Sequence, residues 1–242
     1  MTRITEVPRG PAARLAALCL LAVPVLLLLM DIPRMVAERT GALTFGFEDT
    51  GGDNFTAATT SIQGHTAIFG VATVLTLLTA FVAAPAVVLG WRMAKDGAPV
   101  LAGIAAFAGV CFVLGRAIHA SIYFGLHLFL LDNVEVGEAA RLMEQLQLHW
   151  AMLLVLVPTI IGLSLWLPLL AGSLYRARMI PLWALLCVIG AMAVLVVLGS
   201  SFMTTPIFAG LFIAGLWPAA ALVLRNGSGE PAGEAAPAVA AV

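Results

Sequence analysis

Long apolar runs alternate with short polar breaks along the whole chain. Six of them reach or approach the roughly 20 residues that cross a hydrocarbon core about 30 Å thick; they lie near 12–30, 66–90, 98–131, 148–172, 180–203 and 205–224. The pattern predicts an all-α integral membrane bundle of six transmembrane helices. Residues 31–64 mix Gly, Thr and acids and are expected to fold over one surface as a loop or short cap. Residues 132–147 lead to Leu142, Leu146 and Trp150 at intervals of four, the spacing of an amphipathic helix, which is expected to run directly into the fourth crossing. Residues 1–224 then form one transmembrane domain. The tail, 225–242, is rich in Gly, Ala and Pro, has no aromatic residue, and is expected to be disordered.

The first run follows Arg3, Arg9 and Arg14, as the apolar segment of a signal peptide follows its basic region. Its stretch from Ala12 to Met30 is longer than an ordinary signal core, and no small-x-small cleavage site precedes Asp31. It is therefore read as a retained helix.

Composition agrees, with 62% hydrophobic and only 10% charged residues. The few charges are sorted by side. In a six-crossing layout Arg3, Arg9, Arg14, Arg92, Lys95, Arg176, Arg178 and Arg225 share one side. The other side has Arg34, Arg39 and Arg141 among nine acids: Asp31, Glu38, Glu48, Asp49, Asp53, Asp132, Glu135, Glu138 and Glu144. Basic residues in short loops stay cytoplasmic, so both termini are expected in the cytoplasm. Eleven Arg against one Lys, with abundant Ala, fits a bacterial gene and hence a bacterial cytoplasmic membrane. A net charge of −1 offers no basic surface for nucleic acid. Cys19, Cys111 and Cys187 lie within apolar runs and read as small buried hydrophobes; no C-x-x-C spacing points to metal or redox exchange.

One apolar run carries unexpected chemistry. Residues 115–127 read GRAIHASIYFGLH. At about 100° per residue, Arg116, His119, Tyr123 and His127 fall on one stripe. A charged arginine facing lipid costs at least ~2.5 kcal/mol, so that stripe must face the bundle interior or a wet cavity. Counted from the cytoplasmic end, Arg116 lies in the outer half of the bilayer. His65 and His149, at the outer ends of the second and fourth runs, join the two stripe histidines there.

Two readings of the histidines stand. Imidazoles from different helices are common ligands for haem iron or a transition metal, which makes His119, His65, His127 and His149 metal-ligand candidates. Equally, amphipathic rings are at home where lipid headgroups begin. Arg116 also has two readings: an ion pair that fixes helix packing, with Asp31 or an outer-loop acid, or an anchor for a phosphate or carboxylate, which the guanidinium fork suits. No Asp or Glu lies inside the six apolar runs, which disfavours a carboxylate proton relay and a di-iron bundle. Ser200 and Ser201 in GSSFMTTP have no neighbouring base to activate them and read as a polar hinge. Ala105 with Gly109, and Gly210 with Ala214, mark places where helices could approach closely.

The stretch SLYRARMIPLWALLCVIGAM, residues 173–192, resembles the most recognisable segment of a family of bacterial six-helix membrane proteins known as domain of unknown function 4386. A tyrosine, alternating basic residues, an aliphatic pair, then Pro and Trp between the fourth and fifth helices carry the resemblance. It implies the same six-helix topology over residues 12–224 and brings no known activity. In that family the third helix often has an arginine followed three residues later by glutamate; here Arg116 is followed by His119.

The function expected from these residues is a non-catalytic binding or accessory role. Arg116, His119 and Tyr123 would line an outward-facing polar pocket for an anionic lipid or small ligand. The partners are membrane lipids and, in an accessory role, another protein or a second copy of the chain. The alternative is a haem- or metal-dependent membrane module built on the outer histidines.

Overall fold

The apolar runs fold as helices, and no strand occurs among the described residues, which in this computed structural model are 7–38, 52–199 and 201–226. In chain order they are α1 (Pro11–Glu38), α2 (Gly52–Gln63), α3 (Thr66–Ala94), α4 (Pro99–His119), a π-helical turn (Ala120–Gly125), α5 (Leu126–Asn133), α6 (Val136–Leu148), α7 (Trp150–Arg176), α8 (Leu182–Leu198) and α9 (Thr204–Asn226). The segments α4, π turn and α5 form one rod, Pro99–Asn133. Among the described residues, that rod, α1, α3, α7 and α9 are the five helices long and apolar enough to cross a membrane. The 17 residues of α8 span only about 26 Å at 1.5 Å per residue.

Three boundaries differ from the sequence expectation. The first helix does not stop at Met30: it passes through Pro33 to Glu38, so Asp31 and Glu38 are buried helical residues rather than loop acids. The amphipathic helix does not run into the fourth crossing, because His149 is extended (ψ 133) and separates α6 from α7. Finally, α8 stops at Leu198, where Gly199 takes φ +67, a conformation glycine adopts without steric cost. Ser201 then caps α9: its hydroxyl accepts from the Thr204 N–H at 3.1 Å, while the Ser201 N–H donates to Thr204 Oγ1 at 2.8 Å. Of the expected polar hinge, Ser201 thus forms a reciprocal cap with Thr204, while Ser200 lies outside the described residues. Glu48, Asp49 and nearly all of the tail lie outside the described residues.

Glycines set how closely the helices approach. A β-carbon at Gly162 of α7 would fall on the backbone of Phe112, and one at Gly115 of α4 would sit 2.6 Å from Thr159 Cα. Such close approach is how helices associate where the solvent is itself apolar. The Ala105–Gly109 pair lies at a packed surface, with Val87 and Trp166 against Gly109, whereas Gly210 faces open space. Phe112 and Trp166, ring centroids 5.0 Å apart, anchor the central core between α4 and α7. Leu18, Phe81, Phe107 and Leu186 point outward, as lipid-facing positions do.

The charged ends sort as the sequence suggested. Arg14 Nη2 donates to Leu224 O at 3.4 Å, joining the start of α1 to the end of α9, and Gly97 packs on Ala177, joining the α3–α4 and α7–α8 connections. Arg14, Arg92, Lys95, Arg176, Arg178 and Arg225 therefore cluster at one end. The caps α2 and α6 pack on each other at the opposite end.

Candidate functional site

The polar residues of the GRAIHASIYFGLH rod meet the second half of α1. Arg116 lies 17 residues into α4 and Asp31 20 residues into α1, which puts both roughly 25–30 Å from the basic end, at the far boundary of a hydrocarbon core.

Helical spacing explains the α1 contribution. Asp31, Arg34 and Glu38 are three and four residues apart, so they share one face. Arg34 Nη2 lies 3.0 Å from Asp31 Oδ1 in a pair only 15% and 8% exposed. Glu38, also buried, accepts a hydrogen bond from the Tyr123 hydroxyl at 2.9 Å. The sequence expectation missed Met30, Arg34 and Glu38 as site residues, although the spacing of DIPRMVAE was the available signal.

On the opposing rod the backbone opens into the π turn, where the Leu126 N–H donates to Ser121 O, five residues back. Turns of this kind recur at functional sites. Across it the rings of His119 and Tyr123 stack, with centroids 5.0 Å apart and planes 3° from parallel. Phe124 and Phe69 close the aromatic wall, and His127, 1% exposed, meets Phe69 edge-on at 5.6 Å. The stripe of Arg116, His119, Tyr123 and His127 therefore faces inward as expected, with the π turn inserted in it.

Arg116 is the exceptional member. It is 6% exposed, and the Met30 thioether is the one hydrogen-bond contact of its guanidinium among the described residues. Thioether sulfur is a weak acceptor, whereas a guanidinium carries five donors in a planar fork. Its Nε is buried without a hydrogen-bond partner, as is that of Arg34. Asp31 attracts Arg116 and Arg34 repels it, yet Asp31 closes its ion pair with Arg34. Two arginines and two carboxylates balance formally, but Arg34 and Tyr123 engage the carboxylates. Arg116 is left with the least complete shell.

The four histidines are not gathered together. His65 sits between α2 and α3 with Nδ1 2.8 Å from Ser61 O, and His149 lies exposed at the α6–α7 break, 5.7 Å from the Trp150 ring. His119 and His127 are held in the aromatic wall. Among the described residues no three His, Cys, Asp or Glu side chains are placed to hold a metal ion, so a metal site with three or more such ligands gains no support from this geometry. Comparison with known protein families, curated proteins and solved structures finds no match.

Proposed function

We propose that this protein is a six-crossing component of a bacterial cytoplasmic membrane, with both termini cytoplasmic, that holds an anionic group at its outer boundary through Arg116. The observation that carries this reading is the Arg116 guanidinium: nine-tenths buried, in contact with a thioether, its Nε unbonded. A buried charge of this kind is strongly unfavourable unless a counter-charge and hydrogen-bond acceptors reach it. A phosphate or carboxylate supplies both, and the fork can take it in two parallel bonds. His119 lies close enough to Arg116 to feel its charge and stacks on Tyr123, and the aromatic rings around them lower the local dielectric and strengthen the pair.

The sidedness rests on charge sorting: the basic end carries Arg14, Arg92, Lys95, Arg176, Arg178 and Arg225, and basic loops stay cytoplasmic. The sixth crossing is α8. The resemblance of residues 173–192 to the six-helix family belongs to the same proposal for fold and topology. The role is binding or accessory rather than catalytic, with membrane lipids as the first partners.

Mass analysis of anions and lipids retained by the full chain in mild detergent tests the proposal. The wild type is expected to carry an anionic lipid or small carboxylate that the Arg116→Gln variant lacks. Identical retained material in a folded variant would overturn it.

A further inference from the structure

The basic end carries a cationic feature separate from Arg116. There α7 ends in a tight turn: the Met179 N–H donates to Leu174 O at 2.8 Å, and the Arg178 N–H to Tyr175 O at 2.9 Å. These two bonds define a Schellman ending, whose left-handed position glycine usually fills. Arg178 fills it here, at φ +58, although a β-carbon is disfavoured in that region.

The turn sets Arg176 and Arg178 on the rim of a cleft of about 590 Å³, within the roughly 300–1,000 Å³ of small-ligand sites. Tyr175 shares the rim, Met179 and Ile180 are the buried floor, and Leu222 of α9 closes the far side. No acid lines the cleft, and among the described residues neither guanidinium has an ion-pair partner. Beside it Leu182 and Trp183, 52% and 53% exposed, begin α8. A tryptophan at the end of a crossing helix marks the headgroup layer. The rim is thus cationic at headgroup depth, and the floor is apolar where acyl chains begin.

We infer that this cleft binds the phosphate of an anionic phospholipid. Arg176 and Arg178 contact the phosphodiester, and the glycerol and first acyl carbons rest on Ile180 and Leu222. Basic pockets between helices on the cytoplasmic face suit such headgroups. Inorganic phosphate offers the same charge but nothing for the floor to hold.

The test is lipid titration of the purified full chain in mild detergent, where membrane sidedness plays no part, read by native mass spectrometry and thermal unfolding. Phosphatidylglycerol is expected to bind the wild type more tightly than phosphatidylcholine. The Arg176→Gln/Arg178→Gln double variant is expected to lose about tenfold in phosphatidylglycerol affinity, the scale of losing one charge-assisted contact or more. Arg178→Gly relaxes the turn, so it keeps the fold while still weakening binding. Arg116→Gln is expected to leave this response intact, which separates the cleft from the Arg116 site. Equal binding of the two lipids, unchanged phosphatidylglycerol affinity in the folded Arg178→Gly or double variant, or an equal response to inorganic phosphate would each overturn the assignment.

Discussion

The Tyr123 hydroxyl donates to Glu38 Oε1 at 2.9 Å, joining the π turn of the third rod to the last residue of α1. This bond links a residue read from the sequence as a site candidate to one read as part of an exterior loop; Glu38 is buried, and Tyr123 is half-buried against the Phe69 cluster. Removing the donor takes one hydrogen bond from a buried carboxylate, which costs about 1–3 kcal/mol. Tyr123→Phe is therefore expected to lower the unfolding temperature in detergent, with Glu38→Gln milder because its amide oxygen still accepts. Circular dichroism melts of the two variants measure the difference.

The Asp31–Arg34 pair makes a second prediction. Breaking a buried pair from one side leaves an uncompensated charge and costs about 3–5 kcal/mol. Asp31→Asn has an added effect, since Arg116 loses the carboxylate that attracts it while the repulsion from Arg34 remains. Asp31→Asn and Arg34→Gln are each expected to destabilise strongly, and the double variant by less than their sum. A double-mutant cycle reads the coupling, expected between about 0.5 and 3 kcal/mol. Strict additivity would place the two side chains out of contact.

Helix approach gives a contrast between two glycines. A methyl at Gly162 meets the Phe112 backbone, which cannot yield as a side chain can, whereas Gly210 has nothing within 4 Å. Gly162→Ala is expected to cost about 1–3 kcal/mol or more by forcing α4 and α7 apart. Gly210→Ala should be neutral or stabilising by up to about 1 kcal/mol through helix propensity. Size-exclusion profiles and melts in detergent compare them.

Sidedness is tested with single cysteines in a chain whose Cys19, Cys111 and Cys187 have been replaced by alanine. Asp96 and Glu138 are exposed at opposite ends. Cysteines at Asp96 and Ser228 are expected to label from the cytoplasmic side, and one at Glu138 from outside. A cysteine at Ser228 that labels with the Glu138 set would mean that α8 does not cross.

Much of this was legible in the sequence because lipid imposes long apolar runs, and five of the six expected crossings are matched by rods of spanning length. The inward stripe of Arg116, His119, Tyr123 and His127 was legible for the same reason: charge cannot face lipid. The extension of α1 was hidden by Pro33 and three charges, which read as a loop by composition while their three- and four-residue spacing is helical. Tertiary burial against α3 and the outer cap holds that helix together. The α6–α7 break and the π turn carry no local signature, since a periodic pattern cannot show where one residue leaves the helical phase. Histidine placement was read only as depth, and depth does not bring side chains together: His65 bonds back to Ser61 O and His149 lies beside its neighbour Trp150.

The most direct test of the anion site at Arg116 is a thermal-unfolding titration of the wild type, Arg116→Gln and Arg176→Gln/Arg178→Gln with inorganic phosphate and with acetate at constant ionic strength, fixed by chloride. Ligand that binds only the folded state raises its stability in proportion to the logarithm of concentration above the dissociation constant. The account predicts a concentration-dependent stabilisation of the wild type and of the Arg176→Gln/Arg178→Gln variant by at least one of the two anions, and no response in Arg116→Gln. A folded Arg116→Gln variant that responds as the wild type does, or a wild type indifferent to both anions, would contradict it.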